Sequence, residues 1–397
     1  MTASSQVPPV QRLRGWRASA TLRRGLTDSS LVVPTYERPG AITTLLDALL
    51  LLADTPADVV IVDGSRGRST EGALKTWIGA NRPRFDLSYV RSPAGLTLQR
   101  NVGVDASTGA FVFFLDDDCV PYAGYFQAIR DVFARDTIAT VGAVAGAIVN
   151  NMGGRLSWRW RVRFALGLAK RADPGSYLDS GVSLPITHVP RFTGTRRVAV
   201  VPGGAVGYRR RALDVQRFSL YFSGYAQGED LEMSLRLGRE WTLLWCGDAH
   251  VSHNHAPQGR PNAAKKGYME VRNRYFIWKR HATPGFAGSV RFWLDFVYGM
   301  GVDVLEFLAY PRSLAPLHHV RGVMRGLLSC LTDRPRYDEP PVRREYEIAL
   351  EEVDCSPRAP LAFGTGGLEV SRGRGYGDDS SVARPDDGRA VPNVVIF

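Results

Sequence analysis

The sequence predicts an α/β fold in which an open, mostly parallel sheet is flanked by helices and followed by a C-terminal helical extension. Two observations support this prediction. Apolar runs of strand length alternate with helical patterns in the first third of the chain, as in strand-helix-strand units with right-handed crossovers. The chain of 397 residues, 44% of them hydrophobic, is also long enough for one large α/β domain with appendages or for two domains.

The predicted elements follow one another in a regular order. Residues 31–33 form a strand, and residues 39–53 form a helix in which leucines recur at helical spacing and Pro39 suits the first turn. Further strands are predicted at residues 59–62, 87–90 and 111–115. A polar helix begins near Leu98, before the last of these strands. The pattern indicates that several strand ends lie along one rim of a parallel sheet.

The second half of the domain is predicted from less regular patterns. Residues 198–201 are expected to form a strand that ends in glycines, which allow a ligand to approach the backbone closely. A helix is expected to begin at Gly228, and a strand to cover residues 241–246. The glycine cluster lacks the spacing of a dinucleotide-binding fingerprint, and a turn is the ordinary explanation for it.

The composition of the chain divides it into four segments. Residues 1–27 have five arginines and no acid, which favours a disordered basic arm, with an organellar transit peptide as the alternative. The α/β domain is expected at residues 28–280, and residues 356–397 are expected to be a disordered tail. Residues 281–355 form the helical extension. Four charged residues make its apolar stretch a poor membrane span, so it either packs on the domain or lies in a membrane interface.

The charge and the cysteines limit the class of partner and of compartment. A net charge of +11 favours acidic partners, namely nucleic acid, an anionic membrane or phosphorylated substrates, although part of the arginine excess is equally explained by genomic base composition.

The four cysteines are scattered and include no C-x-x-C pair. They therefore support neither a zinc ribbon nor a disulfide framework, and they fit a reducing compartment.

Three consecutive carboxylates follow the strand predicted at residues 111–115. Asp116, Asp117 and Asp118 would repel one another at a strand end unless a divalent metal or a cationic partner offset their charge. Asp116 and Asp118 are therefore candidates for holding Mg²⁺ or Mn²⁺ jointly, with coordination positions left for substrate phosphates. A solvated acidic turn is the alternative interpretation.

Asp63 and Arg100 are predicted to lie near these acids. Asp63 ends its strand as Asp116 ends another, so it could accept hydrogen bonds from a base or a ribose. Its alternative role is to cap its own turn. Arg100 lies near the start of a short helix, where it could bind a diphosphate, although a lone arginine is more often a surface charge.

Two further groups have the residue types of a catalytic site. Glu229 and Asp230 occupy the first turn of a predicted helix, where acids commonly complement the macrodipole. If Asp230 faces the metal site, it could remove a proton from an attacking hydroxyl. His253 or His255 could complete the coordination begun by Asp118, or either could be a hydrogen-bonded structural histidine.

The order of these motifs resembles the family 2 glycosyltransferases, inverting enzymes with the GT-A fold that use nucleotide-diphosphate sugars. The matching motifs are Val33-Pro34-Thr35-Tyr36-Glu37-Arg38-Pro39, Ile61-Val62-Asp63-Gly64-Ser65, Arg100-Asn101-Val102-Gly103, Leu115-Asp116-Asp117-Asp118, Gly228-Glu229-Asp230-Leu231-Glu232, Val251-Ser252-His253 and Arg272-Asn273-Arg274. They extend over about residues 31–280, and their joint order and spacing are much more specific than any one motif.

The resemblance implies roles for individual residues. Binding of the nucleotide sugar is implied for Pro34, Thr35, Glu37, Asp63, Arg100, Asp116, Asp117 and Arg272, the last as a contact to the diphosphate. Asp116 and Asp118 would form the metal-binding D-x-D element, with His253 as an added ligand to Mn²⁺ or Mg²⁺. Asp230 would be the catalytic base, with Glu229 beside it. Residues 214–225 depart from the acidic, glycine-containing loop common in the family, so acceptor recognition is not implied.

The implied function is inverting transfer of a sugar from a nucleotide-diphosphate sugar to a hydroxyl of a glycan or a lipid-linked glycan, as in cell-envelope polysaccharide synthesis. A divalent cation and arginines would stabilise the departing diphosphate. The expected location is cytoplasmic, extending to the inner face of the cell membrane, with an anionic membrane surface as a further partner. A noncatalytic nucleotide-sugar or glycan-binding protein of the same fold is the alternative. A nucleic-acid-binding protein is disfavoured because no binding motif is found, and no nucleic-acid partner is expected.

Overall fold

A computed structural model of the protein describes residues 10–16, 25–186, 189–255, 260–332 and 348–351. The strands are β1 (Val10–Trp16), β2 (Leu26–Thr35), β3 (Pro56–Asp63), β4 (Asp86–Arg91), β5 (Phe111–Leu115), β6 (Cys119–Pro121), β7 (Val141–Ile148), β8 (Thr195–Arg197), β9 (Ala205–Arg209), β10 (Thr242–His253) and β11 (Ile348–Glu351). The helices are α1 (Pro39–Leu51), α2 (Ser69–Ala80), α3 (Leu96–Ala106), α4 (Tyr125–Arg135), α5 (Trp158–Ala165), α6 (Arg210–Val215), α7 (Glu229–Leu237), α8 (Ala263–His281), α9 (Phe286–Ala309) and α10 (Ala315–Thr332). The predicted tail, residues 356–397, lies outside the described residues.

The described strands form one mixed sheet in the order β11-β1-β4-β3-β2-β5-β9-β7-β10-β6, with β8 paired to β10 off this path. The neighbours β4, β3, β2 and β5 are all parallel. Strand β9 is antiparallel to both β5 and β7, and β10 runs parallel to β7. The prediction of an α/β sheet flanked by helices, with helices at the C-terminal end, is confirmed.

The central strands are continuously apolar because helices cover both faces of the sheet. On one face Val33 and Ile61 belong to a buried cluster with residues of α1. On the other face Val32 and Val62 pack in a second cluster with Val102 of α3. Parallel strands covered in this way leave only their ends open, so the segments that follow β2, β3 and β5 lie together at one rim of the sheet.

The strand predicted at residues 198–201 does not form. Strands β8 and β9 lie on either side of it, and the glycines at 203 and 204 precede β9 instead of following a strand. The backbone N–H groups of Val198, Ala199 and Val201 donate to three separate partners: the carbonyls of Leu243 and Gly175, and the hydroxyl of Ser234. The backbone N–H groups of this apolar run therefore have hydrogen-bond partners although the run pairs with no strand.

The two ends of the described chain differ from the prediction. Residues 10–16, expected within a disordered arm, form β1, which pairs antiparallel with β4. Residues 348–351, expected within a helical extension, form β11, which pairs in parallel with β1. Strand β1 adds to the edge that β4 offers, and β11 in turn adds to the edge that β1 offers.

The C-terminal helices α8, α9 and α10 pack on one another. Helices α8 and α10 approach closely because Gly267, Gly322 and Gly326 lie where they meet, and a Cβ on Gly322 would collide with the carbonyl of Ala264. Helix α9, residues Phe286–Ala309, contains nearly all of the apolar stretch noted in the predicted extension. Among the described helices, none has the length and apolar character needed to cross a membrane.

Candidate active site

The acids singled out in the sequence lie at the rim where β2, β3 and β5 end. Asp116, Asp117 and Asp118 form the turn that joins β5 to β6. The N–H of Asp116 donates to the carbonyl of Gly204 at 3.1 Å, and the carbonyl of Asp116 accepts from the N–H of Cys119 at 2.9 Å. These backbone hydrogen bonds fix the conformation of the turn, and with it the directions in which the three carboxylates project.

Asp117 points into the protein and fastens the acidic turn to the end of β2. Its carboxylate accepts hydrogen bonds from the Thr35 hydroxyl at 2.7 Å and from Nη1 of Arg38 at 2.8 Å. Burial raises the pKa of Asp117 to about 6, although Arg38 and Thr35 act to lower it. Both carboxylate oxygens thus have protein partners, and the predicted contact between Asp117 and the donor stays a prediction.

Asp118 faces His253, the last residue of β10. Oδ1 of Asp118 lies 3.1 Å from Nε2 of His253, and Oδ2 lies 3.8 Å from Nη1 of Arg38. Burial alone would lower the pKa of His253, but the hydrogen bond to Asp118 and the charge of Asp116 outweigh it and raise that pKa. Strands β6 and β10 pair here, with His253 opposite Cys119, which is why residues so distant in sequence meet.

The residues present at this rim fit a divalent metal. Among the described residues, Asp118, Cys119 and His253 each offer a possible ligand atom, and these atoms lie within 4.8 Å of one another. The carboxylate and the imidazole suit Mn²⁺ or Mg²⁺ better than the thiol does. Burial raises the pKa of Cys119 well above its ordinary value, so the thiol keeps its proton. Asp116 is not a member of this group, which differs from the predicted pairing of Asp116 with Asp118.

Asp116 instead pairs with Arg100, which is buried at the first turns of α3. Arg100 donates through Nη1 to Oε1 of Glu229 at 2.5 Å and through Nη2 to Oδ1 of Asp116 at 3.3 Å. It lies 5.2 Å from the ring centre of Phe218. Arg100 is only 1% exposed, so it is not the surface charge that a lone arginine suggests. It joins the acids of the β5 turn to those of α7.

The two glycines before β9 make room for this ion-pair cluster. A Cβ on Gly203 would lie 2.6 Å from Nη1 of Arg100, and a Cβ on Gly204 would collide with the carboxylate of Asp116. From the sequence, these glycines permit close approach of a ligand to the backbone, with an ordinary turn as the other explanation. In the described structure, the side chains of Arg100 and Asp116 lie against the backbone of these two glycines.

Glu229 and Asp230 lie side by side at the start of α7, but their surroundings differ. Glu229 is buried, and burial together with the charge of Asp230 raises its pKa, whereas the ion pair with Arg100 acts to lower it. Asp230 is half-buried and accepts from the N–H of Leu231 at 2.8 Å and of Gly203 at 3.2 Å. Burial also raises the pKa of Asp230. Asp230 is therefore the one of the pair that solvent and a small molecule can reach.

The residues predicted to hold the nucleotide base line the ends of β2 and β3. Asp63 is fully buried and accepts from the N–H of Ser65 at 2.8 Å and from the hydroxyl of Tyr89 at 2.7 Å, so it caps its turn as the alternative interpretation proposed. Pro34 and Thr35 are buried beside it. A base contact by Asp63 stays a prediction.

Glu37 holds the loop after β2 in place. It adopts a left-handed backbone conformation with φ of 55°, and its side chain accepts from the N–H of Arg66 at 2.8 Å. Its own N–H donates to the hydroxyl of Ser65 at 2.6 Å. Glu37 thereby connects the loops that follow β2 and β3, which supports the shape of the predicted nucleotide site. Direct contact with a nucleotide stays a prediction.

Arg272 is directed toward the C-terminal helices. Its Nη1 donates to the carbonyl of Ser329 on α10 at 3.3 Å and lies 3.4 Å from the hydroxyl of the same residue. The neighbouring Asn273 donates to the carbonyl of Gln227 at 2.6 Å, just before α7. Asn273 thereby supports the loop that leads to the site acids, and the carbonyl of Arg272 accepts from the hydroxyl of Tyr221 at 3.3 Å.

Three residues at this rim were not among the predicted site residues. Arg38 pairs with Asp117 and lies near Asp118, and only its place in the first motif could have indicated this. The charge of Arg260 acts on His253 and opposes part of the rise in the pKa of that histidine. Tyr225 is exposed, and its hydroxyl is influenced by the charges of Arg260 and Asp116. Neither Arg260 nor Tyr225 has a sequence signal of its own, because only folding places these residues at the rim.

The part of the chain that forms most of the sheet matches a known family. Residues 30–215 match the family model described as Glycosyl transferase family 2. Residues 30–215 are a glycosyl transferase family 2 domain. The matched region includes the Asp116 turn and Arg100, whereas Glu229, Asp230 and His253 lie beyond it.

Two curated glycosyltransferases have detectable sequence similarity to this chain. The chain is 27% identical over 246 residues to a pre-mycofactocin glycosyltransferase of Mycobacterium tuberculosis, which covers 61% of this chain and 46% of that protein. It is 26% identical over 110 residues to the uncharacterized glycosyltransferase YibD of Escherichia coli, covering 28% of this chain and 31% of that protein. The chain thus spans less than half the length of these relatives.

Among solved structures, the mannosyltransferase PcManGT from Pyrobaculum calidifontis, in complex with GDP-Man and Mn²⁺, is similar with a TM-score of 0.45 and 14% identity. The similarity covers 83% of this chain and 89% of that one. GalNAc-T7 with UDP, GalNAc and Mn²⁺ is similar with a TM-score of 0.44 and 15% identity, covering 78% of this chain and 57% of that one.

Proposed function

We propose that the protein is an inverting, metal-assisted glycosyltransferase. In this proposal it moves a sugar from a nucleotide-diphosphate sugar to a hydroxyl of a glycan or a lipid-linked glycan. The strongest support is the position of Arg100. Its guanidinium forms ion pairs with Asp116, in the turn after β5, and with Glu229, at the start of α7. Arg100 thus places a positive charge between the acidic turn after β5 and the start of α7, where Asp230 also lies, and a fixed cation there suits a reaction in which a diphosphate leaves.

Donor binding is proposed at the ends of β2, β3 and β5. The base would lie against Pro34 and Thr35, beside Asp63 and Glu37, and the diphosphate would lie near Asp116. Arg100 is too deeply buried to move far, so it would act on the diphosphate by its charge from beneath the site. Arg272 would reach the diphosphate only after it leaves Ser329.

Asp118 and His253 would hold the metal, with Asp116 turning toward it when the donor binds. When bound, Mn²⁺ or Mg²⁺ would offset the charge that develops on the departing diphosphate. The hydrogen bond between Asp118 and His253 keeps both side chains at the same place on the rim. Arg38 holds Asp117 out of the way, so two carboxylates of the turn remain for ligands.

Asp230 is proposed as the general base. Two backbone N–H groups fix its carboxylate, and its half-buried position leaves it accessible to an acceptor hydroxyl. Burial raises its pKa, which makes the carboxylate a better proton acceptor than an exposed aspartate. Attack on the face of the anomeric carbon opposite the diphosphate would invert the configuration. Glu229 would keep Arg100 oriented by their short ion pair.

The first test is titration of the purified protein with UDP, dTDP and GDP by calorimetry, with and without Mn²⁺ or Mg²⁺. We expect one nucleotide to bind in a metal-dependent way and Asp118→Ala to lose that dependence, because it removes a proposed metal ligand. The matched control is Asp131→Asn, an exposed acid on α4. Equal metal-dependent affinity in wild type and Asp118→Ala would contradict the metal assignment.

The second test separates binding from chemistry. Hydrolysis of the matching nucleotide sugar is followed as release of the nucleotide, so that no acceptor is needed. We expect Asp230→Asn to bind nucleotide as wild type does but to lose about 100-fold or more in turnover, the usual contribution of a general base. Glu240→Gln, an exposed acid just after α7, is the control. Nucleotide binding with no turnover of any donor would favour the noncatalytic binding protein instead.

A further inference from the structure

Helix α9 turns its charged residues toward the protein. Its four charged side chains are all paired: Arg291 with Asp179 at 3.6 Å, Asp295 with Arg163 at 2.7 Å and Arg274 at 3.0 Å, Asp303 with His319 at 2.7 Å, and Glu306 with Arg159 at 2.7 Å. Asp295 is only 2% exposed. Each charge that interrupts the apolar sequence therefore has a partner elsewhere in the fold, and Asp295 is the buried one.

The opposite side of α9 is apolar and exposed. It presents Phe286, Val290, Leu294, Val297, Leu305 and Leu308, which recur at helical spacing, and Phe286 is 88% exposed. No charged residue of α9 belongs to this exposed side. A helix on the surface of a globular protein ordinarily has the reverse arrangement, with its apolar stripe inward. A helix of 24 residues is about 36 Å long, so this strip is large enough to require a cover.

Helix α10 adds cations beside more exposed apolar residues. Arg321 and Arg325 are exposed together with Met324, Leu328 and Leu331, and Arg312 is exposed in the turn between α9 and α10. Within the part of the chain that the structure describes, none of these three arginines forms an ion pair. The three acids of residues 281–332 are the ones that α9 pairs internally, so the outward charge of this segment is positive.

We propose that this exposed side of α9 and α10, the interfacial face, binds the surface of an anionic lipid membrane. Exposed apolar residues with neighbouring arginines suit a bilayer interface, where the apolar side chains enter the acyl boundary and the arginines meet lipid phosphates. Contact between two copies through the same face would bring like-charged arginines together without any exposed acid to offset them. In this proposal α9 and α10 lie on the membrane surface, with the interfacial face toward the lipid.

The proposal goes beyond the sugar transfer proposed above, and its test uses no sugar. The full chain is sedimented with vesicles of phosphatidylcholine alone, and with vesicles containing about one third phosphatidylglycerol, at low and high salt. We expect binding to the anionic vesicles that weakens as salt is raised, because the Debye length falls. Arg321→Gln with Arg325→Gln should weaken binding about 25-fold, at about fivefold for each cation.

The apolar part of the interfacial face is tested by a second double variant. Leu305→Gln with Leu308→Gln replaces side chains that are 61% and 67% exposed, so the fold should tolerate it, and binding should weaken about tenfold or more. The matched controls are Leu51→Gln on α1 and Ile138→Gln, which are 87% and 80% exposed elsewhere. Circular dichroism and thermal unfolding confirm that each variant is folded.

Three results would overturn the proposal: no binding of wild type to anionic vesicles at low salt, equal binding by the Leu305 and Leu308 double variant, or equal loss in the controls. A lipid-free dimer that the same double variant dissociates, with no vesicle binding, would assign the face to a second copy of the chain instead. Vesicle binding is independent of donor turnover, so failure here leaves the proposed reaction to its own tests.

Discussion

His319 joins the three C-terminal helices through two carboxylates. Its Nδ1 lies 2.7 Å from Oδ2 of Asp303 on α9, and its Nε2 lies 3.3 Å from Oε2 of Glu270 on α8. Burial alone would lower the pKa of His319, but its hydrogen bond to Asp303 and the carboxylate of Glu270 raise it to about 9. The histidine is therefore charged and doubly paired at neutral pH.

We expect His319→Gln to lower the free energy of unfolding by about 3 kcal/mol at pH 6 and by much less at pH 10. A histidine with a pKa of about 6.5 in the unfolded chain and about 9 in the folded chain binds its proton more tightly when folded, and this difference corresponds to about 3 kcal/mol. The stabilisation is fully present below pH 6.5 and is lost as the pH rises through 9. The pKa of Glu270 is lowered to about 2, in part by the same contact with His319. The free energy of that contact is therefore counted once, through the pKa of His319.

The measurement is urea unfolding, followed by tryptophan fluorescence at pH 6, 8 and 10, for wild type and variant. Glu270, Asp303, Lys266 and Arg274 surround the site in both proteins, so the difference between them isolates His319. The matched control is His318→Gln, which changes the exposed neighbour on the same helix and should leave stability unchanged. A stability difference between wild type and His319→Gln that is the same at pH 6 and pH 10 would refute the reasoning.

Two further substitutions test the packing of the site and of the extension. Gly204→Ala adds a Cβ against the carboxylate of Asp116, so metal-dependent nucleotide affinity should fall about tenfold by calorimetry, whereas Gly67→Ala has open space around it and should bind normally. Wild-type affinity in Gly204→Ala would mean that this carboxylate is free to move. Asp295→Asn weakens both ion pairs of a buried acid and should lower the free energy of urea unfolding by about 3 kcal/mol. A loss of less than about 1 kcal/mol would show that the two arginines find other partners.

The central part of the fold was predictable because its signals are local. The helix expected at residues 39–53 is observed as α1, and the apolar runs before Asp63 and Asp116 are observed as β3 and β5. Strands that are buried on both faces have continuous apolar runs, and runs of this kind are visible in a single sequence. Residues 198–201 are equally apolar but do not form a strand. Their backbone N–H groups donate hydrogen bonds to partners that only the folded structure brings near, so the apolar run alone did not predict their conformation.

The candidate site was predictable as a set of residues, but its pairings were not. The acids at 116–118, Arg100 and the acids at 229 and 230 were recognised from strand ends, helix starts and motif order. The pairing of Asp116 with Arg100, and of Asp118 with His253, depends on side-chain directions that sequence spacing does not give. Arg260 and Tyr225 had no signal because they come to the rim only through tertiary contacts.

The sequence by itself determined the central parallel strands, the acids at their ends and the family to which residues 30–215 belong, because burial pattern and motif order are properties of the chain. Only the tertiary structure decided which carboxylate pairs with which arginine. It also decided which side of α9 is exposed to solvent. The same four charges that interrupt the apolar sequence all pair with residues outside α9, because leaving a desolvated charge unpaired costs more free energy than leaving an apolar side chain exposed. That choice of side depends on Arg159, Arg163, Arg274 and His319, which lie on other helices.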